Sequence, residues 1–384
     1  MKKTLSFIVT ILIVISALSF SAFAENDVKV NAVSAVLMDV ETGKVLYSQN
    51  EHEKLYPASV TKIMPLLLFM EAIDSGKMAL TDVVTASPTA ASKGGSQIWL
   101  KEGEQMTVDE LLRATAIASA NDACTALGEH LAGSEESFVK MMNERAAELG
   151  MTNTHFDNCS GLDDDTTTHL TTAYDIALMS RELLKHERIR TYTTVWMDSL
   201  RDGATELVNT NRLVRFYNGT TGLKTGTTSK AGHCLSASAE RDGLHLVAVI
   251  MGAANSTDRF EGAKTLLNRG FANYESFTPQ IDISGLSDVT VIRGIEKTVR
   301  PMVSGLSAIL LETGKKSQLE TEIELSENVE APVEEKQTLG KVRLKIGDEV
   351  IAEYSLVAEK GIRRLTFADA LARFFRLMTK SEQY

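Results

Sequence analysis

Ser59 and Lys62, in Ala58-Ser59-Val60-Thr61-Lys62, stand at the head of an apolar run of Ile63, Met64, Leu66, Leu67, Leu68 and Phe69. On a helix that spacing puts both side chains on one face, with Cβ atoms about 5–6 Å apart, close enough for an amine to take the proton of a hydroxyl. This is the arrangement of a serine nucleophile activated by a lysine base. The backbone N–H of Ser59, at a helix N-terminus, would also point towards a developing negative charge. The spacing alone is weak evidence, because Ser137 and Lys140 share it on what reads as the exposed face of another helix.

Two further groupings sharpen the signal. Ser119-Ala120-Asn121 follows the apolar run 111–118, and Lys224-Thr225-Gly226 follows the glycine-bearing segment 219–223. S-x-N recurs at Ser48-Gln49-Asn50 and Ser326-Glu327-Asn328, whereas K-T-G occurs once. The ordered set S-x-x-K, S-x-N, K-T-G is far rarer than its parts, and it is the signature of penicillin-binding proteins and serine β-lactamases.

The elements that must position these groups follow from periodicity. Residues 32–49 alternate as two strands around a turn at Glu41-Thr42-Gly43, a hairpin. Ser59 opens a helix in which Pro65, counted into the second turn, should remove a donor and kink the rod. A helical period runs from Thr107, with Asp109 and Glu110 in its first turn, where the helix dipole favours them. Helices are also expected over 134–149, closed by Gly150, and over 172–184, with the polar loop 153–168 between them. Strands 234–239 and 244–251 bracket Arg241-Asp242-Gly243, and a helix over 259–274 ends the unit. Strands at both ends with helices between predict an α+β domain with one antiparallel sheet and a helical cluster.

From about residue 281 the pattern changes to short strands at 289–292, 307–311, 321–325, 340–346 and 349–356, a small all-β domain without candidate chemistry. At the C-terminus Asp369, Arg373, Arg376 and Lys380 share one helix face, opposite Phe367, Leu371, Phe374 and Met378, with Phe375 beside them. This amphipathic helix is read as lying in a membrane surface; the alternative is packing on the β-domain.

The 384 residues suffice for two domains with real cores. A net charge of -11 without a long basic patch argues against nucleic acid as a partner. Met1-Lys2-Lys3, an uncharged run over 4–24 and Ala22-Phe23-Ala24 read as a signal peptide cleaved after Ala24, with an uncleaved anchor as the alternative. Cys124, Cys159 and Cys234 form neither a disulfide framework nor a zinc pattern and read as buried small hydrophobes. The seven histidines include no H-E-x-x-H, so neither catalytic metal nor cofactor is expected.

With these motifs the chain resembles the low-molecular-mass penicillin-binding proteins, serine-type D-alanyl-D-alanine carboxypeptidases of the peptidase S11 family. The resemblance covers nearly the whole chain and rests on Ala58-Ser59-Val60-Thr61-Lys62-Ile63-Met64, Asn158-Cys159-Ser160-Gly161-Leu162 and Gly222-Leu223-Lys224-Thr225-Gly226-Thr227-Thr228. It implies a β-lactamase/DD-peptidase-like catalytic domain at 25–277 after a signal peptide at 1–24. A small β-rich domain at 278–362 and an amphipathic helix at 363–384 would follow. The implied substrate is a peptidoglycan stem peptide ending in D-Ala-D-Ala, with β-lactams as acylating inhibitors. The implied place is the extracytoplasmic face of a bacterial cell membrane, held peripherally.

Chemistry and resemblance together assign roles. Ser59 is the nucleophile and Lys62 the base, which requires its pKa of about 10.4 to fall by roughly 3 units. Burial and a second cation, Lys224, supply that shift. Ser119 relays the proton to the leaving amine, Asn121 holds the substrate amide, and the strand edge carrying Lys224, Thr225 and Gly226 pairs with an extended peptide. The resemblance implies an oxyanion hole from the N–H groups of Ser59 and Thr227. Thr225, Thr227 and, by a looser match, Arg259 are candidates for the terminal carboxylate; a solvated helix-start arginine is the competing reading of Arg259. His169 is read as structural, and Asp163, Asp164 and Asp165 as a solvated charge run. Pro65, and Thr227 where some relatives carry His, depart from the pattern. A β-lactamase would need a deacylating glutamate, which 153–168 lacks, and a wall-binding scaffold would not need the intact motifs.

Overall fold

The computed structural model describes residues 29–380 apart from 164, with side chains through 375; the expected signal peptide, Asp164 and the side chains of Arg376, Met378 and Lys380 lie outside the described residues. The central sheet joins β1 (Ser34–Asp39), β2 (Val45–Gln49), β3 (Thr220–Thr228), β4 (Gly232–Arg241) and β5 (Leu244–Ala253) in the order β2-β1-β5-β4-β3. Every neighbour is antiparallel. The sheet is thus built from both ends of the unit, as the sequence suggested.

β1, β4 and β5 are buried on both faces, and period-2 alternation assigns the sides. Val36 and Met38 of β1, with Val247, Val249 and Met251 of β5, share a core with α1 (Ile63–Asp74), α2 (Val108–Ile117), α3 (Asn121–Ala132), α4 (Glu135–Glu148) and α5 (Ala173–Leu184). Ala35 and Leu37, with Leu246, Ala248 and Ile250, pack instead on α6 (Ser256–Asn273) through Phe260, Ala263, Leu266 and Leu267. β3, one of the two edge strands of this sheet, carries Lys224-Thr225-Gly226.

Pro65 does not interrupt α1. Residues 58–62 form a tight 3-10 turn and α1 begins at Ile63, so Pro65 is its third residue. A backbone N–H there has no partner within the helix, and nothing is lost with it. At α2 the expected start is exact in chemistry: Thr107 and Glu110 form a capping box, each side chain receiving the other's backbone N–H.

The helix α3 is not evident from periodicity, because it is buried all round. Asp122, Ala123, Cys124, Thr125, Ala126, Leu127 and Gly128 are all inside, leaving no polar stripe to read. The expected all-β region appears, with strands Val289–Ile292, Ile309–Glu312, Glu320–Leu325, Thr338–Ile346 and Glu349–Ala358. Thr298–Val299, Pro301–Ser304 and Asn328–Glu330 add strands too short to show a period. Tyr274–Phe277 pairs with Ile309–Glu312. The terminal helix spans Phe367–Lys380, and among the described residues no helix is long and apolar enough to cross a membrane.

Candidate active site

The turn before α1 places Ser59 Oγ 3.0 Å from Lys62 Nζ. Lys62 is fully buried, and its ammonium also donates to the Ser160 carbonyl at 2.7 Å. Burial pushes its pKa down to about 8, against the opposing pull of Cys124, Cys159 and Asp122. In the neutral amine one N–H still serves Ser160, and the lone pair is free to accept the Ser59 hydroxyl proton across the same 3.0 Å.

Lys224, equally buried on β3, is held well below the ordinary lysine range by burial first, then by Lys62 and Arg259. Burial is the largest cause for both lysines, and the mutual repulsion of the two cations further disfavours charging both at once. Both shifts favour an uncharged amine somewhere in the pair at neutral pH.

Ser119 lies between α2 and α3 in a left-handed conformation, φ +64°, that costs a non-glycine residue about 1–3 kcal/mol. Its Oγ is buried without a hydrogen-bond partner among the described residues, so the Ser119–lysine contact expected of a relay is not made in the free protein. Catalytic hydrogen bonds commonly tighten only with substrate present. Asn121 Nδ2 donates to the Gly94 carbonyl at 2.7 Å, and its N–H to the Ser96 carbonyl at 2.7 Å. Its Oδ1 is buried and has no partner among the described residues. Two orphan acceptors in one buried corner are costly unless a ligand supplies donors.

The glycines of the motifs are there for close approach. A Cβ on Gly226 would lie 2.9 Å from the Ser59 nitrogen and 2.7 Å from the Pro57 carbonyl oxygen, so β3 backs directly onto the nucleophile's turn. Thr225 Oγ1 donates to Thr210 Oγ1 at 2.7 Å, and Thr227 Oγ1 donates to the Gly226 carbonyl at 2.8 Å. Arg259 is not a solvated arginine. It is only 8% exposed, and its Nη1 donates to Thr227 Oγ1 at 2.9 Å, the Gly226 carbonyl at 3.0 Å and the Cys234 carbonyl at 3.3 Å.

The 153–168 loop is tied under this site. Asn158 Oδ1 accepts from the N–H groups of Ser160 at 3.1 Å and Gly161 at 2.7 Å, which aims the Ser160 carbonyl at Lys62. His169 supports Thr61 from below: its Nδ1 accepts the Asp157 N–H at 3.0 Å, which fixes Nε2 as the donor to Thr61 Oγ1 at 2.8 Å. Burial keeps it neutral, its pKa lowered to about 4. This is the structural role expected of it.

Asp163 departs from expectation. It is 2% exposed, not solvated, because Thr228 Oγ1 donates to its carboxylate at 2.5 Å and Lys230 Nζ to its carbonyl. That clamp joins the loop to the end of β3. Sequence reasoning also assigned nothing to Asp122, whose buried carboxylate accepts the N–H groups of Ile98 at 3.2 Å and Leu100 at 3.0 Å. Its place directly after Ser119-Ala120-Asn121 was the available signal. All three cysteines are buried and free, as read.

A family profile described as D-alanyl-D-alanine carboxypeptidase, peptidase S11, matches residues 21–255, and the penicillin-binding protein 5 C-terminal domain matches 275–364. The chain belongs to the peptidase S11 family. Among S11 relatives, the D-alanyl-D-alanine carboxypeptidase DacF of Bacillus subtilis is 42% identical over 392 residues, covering 99% of this chain and 100% of its own length. The crystal structure of penicillin binding protein 5 from Haemophilus influenzae superposes with a TM-score of 0.76 at 30% identity, over 88% of this chain and 99% of that one. Penicillin-binding protein D2 from Listeria monocytogenes, crystallised in an ampicillin-bound form, has a TM-score of 0.59 at 31% identity and covers 64% of this chain and 99% of its own.

Proposed function

We propose that the chain is a serine-type D-alanyl-D-alanine carboxypeptidase that removes the terminal D-alanine from peptidoglycan stem peptides through an acyl-enzyme on Ser59. The observation that carries this reading is the 3.0 Å contact between Ser59 Oγ and the buried Nζ of Lys62, whose pKa has fallen to about 8. Ser59 Oγ attacks the carbonyl of the penultimate D-alanine and its proton passes to Lys62. The N–H groups of Ser59 and Thr227 hold the oxyanion. As the C–N bond breaks, the leaving amine takes the proton from Lys62 by way of Ser119 Oγ, and free D-alanine departs. Water then attacks the ester, giving its proton to the same lysine, and Ser59 Oγ is reprotonated as the shortened peptide leaves.

Asn121 Oδ1 accepts a substrate amide N–H, which satisfies an otherwise orphaned atom. The peptide lies along the free edge of β3, where Lys224, Thr225 and Gly226 are. The hydroxyls of Thr225 and Thr227 meet the terminal carboxylate, with the Arg259 guanidinium supplying positive charge behind Thr227. Penicillins acylate the same serine. Hydrolysis of that adduct is slow, because the 153–168 loop holds no glutamate and its buried carboxylate, Asp163, is already engaged by Thr228. The test is release of D-alanine from a peptide ending in D-Ala-D-Ala: the wild type is expected to liberate one D-alanine per peptide and Ser59→Ala none, and release by Ser59→Ala would end the reading.

The catalytic unit is assigned to 25–277, the β-rich unit to 278–362 and a membrane-surface helix to 363–384, in an exported, peripherally attached protein. What supports the last is exposure: Phe367 is 83% exposed and Leu371 and Phe374 about half, an apolar face open to solvent. Chain 25–384 is expected to co-sediment with anionic phospholipid vesicles at least tenfold better than chain 25–364. Equal sedimentation would contradict the assignment.

A further inference from the structure

Trp99 is 74% exposed and sits at φ +59°, a left-handed conformation that a bulky aromatic residue rarely adopts. The strain has an identifiable cause. The N–H groups on either side of it, of Ile98 and Leu100, are both drawn to the buried carboxylate of Asp122, which forces the intervening residue outwards. Strain held in place by a buried anchor, with a large apolar ring delivered to solvent as its result, marks a functional surface.

Trp99 lines an open depression of about 740 Å³ together with Lys101, Glu102, Arg201 and Thr205. Hydrogen bonds tie this lining together: Arg201 donates to Glu104 at 2.7 Å, to the Ile98 carbonyl at 2.9 Å and to Thr205 at 2.8 Å. The loop is continuous with the substrate cleft, for Ser96, three residues before Trp99, accepts the N–H of Asn121. One exposed aromatic face bordered by charged and hydroxyl groups suits a ligand with an apolar ring face and a polar rim. That is a pyranose. The depression lacks the contiguous apolar area that a protein or lipid partner would need.

We propose that Trp99 and this depression bind a sugar of the glycan strand that carries the stem peptide. The proposal rests on the carboxypeptidase reading and specifies where the non-reacting part of its substrate is held. Such remote binding would let the enzyme distinguish wall-linked peptide from free peptide.

The test compares a free stem pentapeptide with the same peptide on its disaccharide. Trp99→Ala is expected to raise KM for the disaccharide form about tenfold with little change in kcat, and to leave the free peptide and penicillin acylation unchanged; Trp99→Phe should keep most of the affinity. Equal effects on both substrates, or none on either, would overturn the proposal. A second readout is independent of turnover. In a Trp196→Phe background Trp99 is the remaining tryptophan, and an N-acetylglucosamine tetramer is expected to shift its fluorescence saturably. No shift would refute the sugar site. Absence of turnover on both peptides, with the shift retained, would instead refute the carboxypeptidase reading alone.

Discussion

Replacing Lys62 with methionine is expected to slow acylation of Ser59 by penicillin roughly 10³–10⁴-fold, at the upper end of what a general base contributes. The fold should survive, because methionine fills nearly the same buried volume and removes a desolvated cation. The Ser160 carbonyl loses its 2.7 Å donor, a cost of about 1 kcal/mol. The pH profile separates this from a structural effect. The base must be deprotonated, so wild-type acylation should rise with pH, about tenfold per unit well below the Lys62 pKa, and level off above about 8. In Lys62→Met the slow residual rate should lose that rise. Stopped-flow acylation across pH 5.5–9.5 measures both, and a variant retaining a tenth of the rate, or the same pH dependence, would remove Lys62 from the mechanism.

Gly161→Ala is the second large effect, and it requires no change to any reacting group. A Cβ there would meet the Ala58 carbonyl oxygen at 1.9 Å, its carbon at 2.4 Å and Thr61 Oγ1 at 2.8 Å, at φ +85°. Backbone cannot yield as a side-chain tip does, so the loop must move away from the nucleophile's turn. With it would go the Ser160 carbonyl that orients Lys62. We expect a loss of about 3–5 kcal/mol in stability and near-complete loss of acylation. Gly150→Ala is the control: its φ is +74°, but nothing lies within 4 Å of the added carbon, so only the conformational cost of about 1 kcal/mol applies. Matching losses of melting temperature in the two variants would show that close packing under Ser59 is not what Gly161 provides.

The reach of the sequence can be read from these same residues. Ser59, Lys62, Ser119, Asn121 and Lys224 were legible because each sits in a short motif whose spacing implies chemistry, and the structure gathers them at the turn before α1, the start of α3 and the edge of β3. The sheet was legible because its strands alternate or run apolar between clear turns. The burial of Asp163 and Arg259 was not, because charge in a sequence carries no sign of burial. Only the fold brings Thr228 to Asp163 and Thr227 to Arg259. Asp122 and α3 stayed hidden for a related reason, since a helix inside the protein has no polar face to give it a period. Pro65 misled because its effect depends on where helix counting starts, and the 3-10 turn moved that start by four residues, from Ser59 to Ile63.

The central claim is that Ser59 is a nucleophile activated by a buried, depressed lysine. Its most direct test is covalent labelling of the purified protein by a fluorescent penicillin, with intact mass measured for wild type and Ser59→Ala. The account predicts one stable adduct per wild-type chain and none on Ser59→Ala. An adduct that persists in Ser59→Ala, or a wild type that neither labels nor consumes penicillin, would contradict it.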